Sequence, residues 1–143
     1  MNKTKPIHAV LIAAVSLSLV ACAVQHRRVP YDAMPPASAP TEQEYAHGKR
    51  IYASLSQDYR IDQDDARFDP LRCMFDRLVE AAGGRPVDWH LVLFDEPAVA
   101  DVRAVQGNFV FVWSGVFDVI ESQDELAGLL ASEMAHELAC LLY

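Results

Sequence analysis

Basic side chains are few in this sequence, and their shortage excludes one class of partner. The 143 residues carry 12 Lys and Arg against 20 Asp and Glu, a net charge of −8. Loss of residues 1–21, predicted below, removes Lys3 and Lys5 and leaves a net charge of −10. Such a surface repels phosphate backbones, so we expect no nucleic-acid partner. It also gives no polybasic support for membrane contact.

Cysteine is equally scarce, with three residues at positions 22, 73 and 140. Two thiols in the body of a chain do not form a disulfide framework of the kind that stabilises small secreted domains. Cys73 and Cys140 could pair in an oxidising compartment. Their sequence positions leave that question open.

Long hydrophobic runs are also missing. The longest, from Ala9 to Ala21, is shorter than the ~20 residues that a membrane-spanning helix needs. It follows two lysines, which is typical of a secretory signal. The run ends in Leu19-Val20-Ala21-Cys22, which resembles a bacterial lipobox, so we expect cleavage before Cys22 and lipidation of its thiol. Ala23 then favours the periplasmic face of the outer membrane. A plain signal with an incidental cysteine is the alternative.

The remainder divides into a proline-rich tether, residues 22–40, and one domain, residues 41–143. Helix starts are predicted by a Thr41–Glu44 capping box, by Asp69-Pro70 and by a Ser122–Glu125 capping box, and a helix end by Gly83-Gly84. Between them lie a strand at 87–95, a hairpin at 102–113 turning near Gly107, and a short helix at 116–120. This order predicts an α+β fold with a small antiparallel sheet.

The last helix carries the chemically informative pattern, Ser132-Glu133-Met134-Ala135-His136. A zinc-protease helix places two His at i and i+4, so that both imidazoles reach one metal, and a Glu after the first His. Here Glu133 and His136 are in place, but Ser132 stands at the first ligand position. A serine hydroxyl is too short and too weak a ligand to replace an imidazole. An unrelated amphipathic helix is the alternative interpretation.

The wider segment "VRAVQGNFVFVWSGVFDVIESQDELAGLLASEMAHELA" resembles metallopeptidase family forty-eight, the group of HtpX and the CAAX prenyl protease, and most of all its periplasmic lipoprotein branch. The resemblance implies the N-terminal half of a zincin-like domain, with zinc as cofactor. It also implies His136 as a zinc ligand and Glu133 as the general base. The family's third ligand, a Glu on a later helix, finds no counterpart before Tyr143, so the domain is expected to be partial.

The resemblance implies a zinc-dependent endopeptidase of misfolded or extended envelope polypeptides, held to the membrane by a lipid on Cys22. With Ser132 and without the third ligand, we expect this chain to be inactive, and its standing as an enzyme stays open. Cys140, His90 or His47 could complete a metal site. Residues Phe109, Val110, Phe111 and Val112 are predicted to be the edge strand for substrate. The alternatives are a non-catalytic lipoprotein that acts as a binding or assembly factor, and a product that does not fold.

Overall fold

A four-stranded sheet with helices on both faces organises residues 37–64 and 66–140, the part of the chain that this computed structural model describes, without the side chain of Cys140. These residues belong to one unit, residues 31–143. The predicted signal, Cys22 and most of the tether lie outside the described residues, as do positions 141–143. The predictions made for them therefore stay predictions.

The elements follow one another largely as predicted, and the α+β class is confirmed. In chain order they are α1 (Glu42–Asp58), β1 (Arg60–Ile61), α2 (Phe68–Ala81), a 3-10 turn (Pro86–Asp88), β2 (His90–Asp95), β3 (Val102–Val105), β4 (Phe109–Trp113), α3 (Val116–Val119) and α4 (Gln123–Cys140). None of the helices described here is both long and apolar enough to cross a membrane.

The sheet is mixed, and the prediction of a purely antiparallel sheet is wrong. Its order is β1-β2-β4-β3. The pairs β1–β2 and β3–β4 are antiparallel, whereas β2 and β4 run parallel, with His90 opposite Phe109. The reason is that β3 runs opposite to β2. The chain reverses again at the hairpin, so β4, which lies between β2 and β3, runs in the direction of β2.

The predicted substrate edge strand, Phe109 to Val112, is wrong for the same reason. These residues belong to β4, which is paired on both sides and buried along its whole length. Its backbone groups are committed to two neighbouring ladders, so β4 cannot accept a further strand. The edge on this side of the sheet is β3, Val102–Val105.

Alternate side chains of the central strands belong to two hydrophobic clusters, one on each face of the sheet. On one face α2 and α4 pack on Leu91, Leu93, Val110 and Val112. On the other face α1 packs on an aromatic cluster formed by Phe94, Phe109, Phe111 and Trp113 together with Val92. Both faces are covered, which explains why β2 and β4 read as continuous apolar runs rather than as alternating ones.

Local start signals are partly confirmed. Thr41 and Glu44 form the predicted capping box: the Glu44 N–H donates to Thr41 Oγ1 at 3.3 Å, and the Thr41 N–H donates to Glu44 Oε2 at 2.7 Å. The Asp69 cap is wrong, because α2 begins at Phe68 and no side chain caps it. At α4 the Glu125 N–H donates to Ser122 Oγ at 3.2 Å, but the Glu125 carboxylate accepts from Glu121 rather than from Ser122.

The hairpin turn is pressed against α1. Gly107 has φ +93° and Asn108 has φ +62°, so both occupy the left-handed region that a tight hairpin turn requires. A Cβ at Gly107 would stand 2.5 Å from the Glu44 carbonyl oxygen. Asn108 is fully buried, and its Nδ2 donates to the carbonyl oxygens of Ser38 at 3.2 Å and Asp88 at 3.1 Å. Packing therefore begins inside the segment predicted as a tether.

Candidate active site

Helix α4 exposes the motif residues and buries the opposite row. Ser132 and His136 are exposed, and Glu133 is half-buried. The buried side chains of the helix are Leu126, Leu130, Met134, Glu137 and Leu138. Leu138 is 4% exposed and belongs to the cluster that α2 and the sheet share with α4.

Glu133 contacts the edge of the sheet. Its Oε2 accepts a hydrogen bond of 3.3 Å from the backbone N–H of Ala104 in β3. Helix α4 packs directly on this strand. The motif glutamate is therefore fixed to the strand next to which an extended polypeptide would lie.

The direction of the Ala104 N–H shows which backbone groups of β3 face outward. In an antiparallel ladder, inward and outward groups alternate along the strand. The Trp113 N–H donates to the Asp101 carbonyl oxygen at 3.0 Å, so Asp101, Arg103 and Val105 direct their backbone groups toward β4. Val102 and Ala104 direct theirs toward the open edge. The Glu133 carboxylate consequently stands at that edge.

Glu137 is buried, with 3% of its surface exposed. Burial raises the pKa of its carboxyl to about 7. The nearby Asn108 backbone amide partly offsets this, and the Glu44 carboxylate adds to it. Neither Glu137 oxygen has a hydrogen bond of ordinary geometry to the described residues. The sequence held a signal for this burial, because Glu137 follows Leu130 by seven residues, which is two helical turns.

The donor set on α4 does not fit a catalytic zinc ion. Such an ion takes three protein ligands and a water molecule. The described residues contain no group of three or more His, Cys, Asp or Glu side chains placed to hold a metal. On the motif face, His136 contributes one imidazole, and Ser132 contributes a hydroxyl.

The other residues considered as ligands are not brought to His136. The His90 ring stacks on Phe109, at 4.4 Å between ring centroids, on the face of the sheet that α1 covers. His47 lies on α1 and is half-buried. Cys73 is exposed on α2 and has no disulfide within the described residues, whereas the side chain of Cys140 lies outside them. The suggestions for Cys140 and for a Cys73–Cys140 pair thus stay untested.

Sequence reasoning missed two features of this region. It did not foresee the hydrogen bond between Glu133 and Ala104, which depends on how α4 lies across β3. It also did not single out the aromatic residues around His90 as a group. No local pattern announces either feature, since both join elements that are far apart along the chain.

Comparison with known proteins agrees with this arrangement of a hairpin followed by a motif helix. A sequence profile described as Peptidase family M48 matches residues 65–139, just over half of the chain. The match includes α2, the strands β2, β3 and β4, and α4 up to the residue before its last. No curated protein matches the chain to a significant degree. The profile match identifies the chain as a member of peptidase family M48.

Proposed function

We propose that this chain binds extended polypeptides of the bacterial envelope along β3 and, as encoded, does not hydrolyse them. Family membership supplies a metallopeptidase-type scaffold, and members of the family usually use zinc. A lipid on Cys22 would hold the protein to the periplasmic face of the outer membrane. The proposal is carried by one observation: Glu133 stands at the open edge of β3, while Ser132 offers no imidazole beside it.

The chemistry of the motif face supports the absence of hydrolysis. In this family a bound zinc ion lowers the pKa of its water toward ~7, whereas free water has a pKa of ~15.7. A carboxylate acting alone cannot deprotonate free water to a useful extent. Glu133 can therefore accept hydrogen bonds on this face, but without a zinc-bound water molecule it has no nucleophile that it could activate.

The geometry of β3 supports binding. Val102 and Ala104 direct backbone groups outward, and these are the groups that an added strand would use. Arg103 forms an ion pair with Asp101 at 2.8 Å, so charged side chains flank the edge. Such charges protect an edge from indiscriminate pairing. An incoming strand would have to displace the Glu133 carboxylate from the Ala104 N–H or lie beside it.

An active zinc endopeptidase is the second candidate, and the position of Glu133 favours it. A general base must lie within reach of the bond that is cleaved. Glu133 is half-buried beside the strand along which a substrate backbone would run. For this candidate, the zinc ligands besides His136 must come from residues outside those described.

Metal analysis and casein cleavage separate the two candidates. The variants are Ser132→His, Glu133→Gln and a matched control, Ala131→His, which adds an imidazole at a neighbouring exposed position five residues before His136. We expect the parent to retain no stoichiometric zinc and to leave casein intact. Ser132→His should bind zinc more tightly than Ala131→His, because only the former completes an i, i+4 pair of imidazoles. Stoichiometric zinc in the parent, with cleavage abolished by Glu133→Gln, would establish the endopeptidase instead.

Strand addition is tested with a pair of proline substitutions in β3 and fluorescein-labelled, reduced casein as the probe. Ala104→Pro removes an outward N–H, so it should retain the fold and lose binding. The lost hydrogen bond to Glu133 should cost about 1 kcal/mol of unfolding free energy. Arg103→Pro removes an inward N–H of the β3–β4 ladder and should lower the melting temperature markedly. Unchanged casein binding by a folded Ala104→Pro variant would refute binding at this edge.

A further inference from the structure

A second concave site lies beside β2, lined by residues of α1 and of α2, and none of the motif residues of α4 lines it. It is a pocket of about 330 Å³ that combines aromatic side chains with cationic ones. Pockets from about 300 Å³ upward are typical of small-molecule sites. Neither the motif residues of α4 nor any residue of β3 lines this pocket.

Stacked rings form one wall of the pocket. His90 and Phe109 lie face to face, with centroids 4.4 Å apart. Tyr45 packs on both, at 5.5 Å from His90 and 5.8 Å from Phe109, and Tyr52 lies 6.2 Å from Phe109. Desolvation, followed by the charge of Arg72, lowers the pKa of His90, so its ring is neutral at neutral pH and adds to the flat wall rather than to the charge. Such a wall suits a planar ligand, because aromatic rings attract one another in offset or edge-to-face contact.

Three side chains that donate hydrogen bonds but cannot accept them also line the pocket, beside the amide of Gln63. They belong to Lys49, Arg72 and Trp89. The Trp89 side chain is 2% exposed, and its Nε1–H has no hydrogen-bond partner among the described residues.

The charge of the pocket is positive in a chain that is otherwise acidic. Arg72 already pairs with Asp76 at 2.8 Å and donates to the Pro86 carbonyl oxygen at 3.3 Å. Lys49 is exposed on α1 and forms no ion pair within the described part of the chain. The described residues that line the pocket include no Asp or Glu. Lys49 is therefore the charge that is available to a ligand.

We propose that this pocket binds a small aromatic carboxylate, with its ring against the Tyr45–His90–Phe109 wall and its carboxylate held by Lys49. The excess of donors selects an acceptor-rich group. The single uncommitted ammonium matches one negative charge rather than two. The flat wall favours a planar ring over a branched chain.

Indole-3-acetate and its neutral amide, indole-3-acetamide, form a matched pair of probes for titration of the full chain by calorimetry. Indole-3-acetate should bind saturably with a Kd on the order of 1 mM or tighter. Lys49→Gln should weaken this binding by about tenfold, the loss expected for one charge-assisted hydrogen bond, and leave the amide unaffected. Arg50→Gln removes the same charge from the next residue of α1, which does not line the pocket, and should change neither affinity.

The two tryptophans give an internal control. Trp89 and Trp113 are both buried and both lack a partner for Nε1 among the described residues, but only Trp89 lines the pocket. In 15N-labelled protein the Trp89 indole N–H resonance should move during titration, while that of Trp113 stays in place. Four results would overturn the proposal. They are no saturable binding, equal affinity for indole-3-acetate and indole-3-acetamide, equal losses of indole-3-acetate affinity in Lys49→Gln and Arg50→Gln, or a shift of the Trp113 resonance without one of the Trp89 resonance.

Discussion

Replacement of Glu137 by Gln should stabilise this protein above neutral pH. The carboxyl is 3% exposed, and its pKa is raised to about 7 from the 4.5 of an unperturbed glutamate. Below pH 4.5 the group is protonated in the folded and unfolded chains alike, so it does not alter their balance. Between these two pKa values the unfolded chain ionises first, and stability falls as pH rises. Above pH 7 the penalty is complete.

The size of the effect follows from the difference between the two pKa values. At 1.36 kcal/mol per unit, a shift from 4.5 to about 7 corresponds to about 3 kcal/mol of unfolding free energy. Gln has nearly the shape of protonated Glu and does not ionise. Glu137→Gln should therefore match the parent within about 1 kcal/mol near pH 5 and exceed it by up to about 3 kcal/mol at pH 8.

Urea denaturation followed by circular dichroism, at half-unit steps from pH 5 to pH 9, measures this difference. Glu80→Gln removes one charge from an exposed position on α2, and its curve provides the reference for the loss of a surface carboxylate. Curves for the parent and Glu137→Gln that stay parallel across this range would refute the reasoning. So would a variant that is less stable than the parent at pH 8, because Glu137 would then be ionised and held by partners.

Two further predictions concern the hairpin turn and the membrane anchor. Gly107→Ala should lower the melting temperature, by an amount equivalent to about 1–3 kcal/mol, because a Cβ at φ +93° is strained and would stand 2.5 Å from the Glu44 carbonyl oxygen; an unchanged melting temperature would show that α1 moves away without cost. Labelled palmitate should be incorporated into the parent expressed in a bacterium and not into Cys22→Ser, and equal labelling of the two proteins would exclude lipidation at Cys22.

The sequence predicted those parts of the fold that neighbouring residues decide. Thr41 and Glu44 lie three residues apart and form their capping box whatever the rest of the chain does. Gly107 and Asn108 similarly specify the hairpin, since few other residues adopt positive φ. The parallel pairing of β2 with β4 joins residues that are nineteen positions apart, His90 and Phe109, and no local preference encodes it.

The candidate site divides in the same way. The identities of Ser132, Glu133 and His136 and their common region of α4 were accessible from spacing alone. The hydrogen bond from the Ala104 N–H to the Glu133 carboxylate could not be predicted, because it depends on the crossing of α4 over β3. Glu137 is an intermediate case. Its spacing from Leu130 is compatible with the apolar side of the helix, whereas its charge favours solvent, and packing of α4 against the sheet buries it.

The position of β4 between β2 and β3 constrains the order in which the sheet can assemble. Strand β3 precedes β4 in the chain but lies beyond it in the sheet, so in a nascent chain ending before Phe109 strand β3 has no native neighbour, whereas β1 and β2 can already pair. The hairpin β3–β4 needs only a three-residue connection and should close within microseconds. Its docking against β2 is the long-range step that creates the core. Destabilising the turn at Gly107 should therefore slow folding. Truncating side chains of α1, which packs on the sheet after it has formed, should mainly speed unfolding.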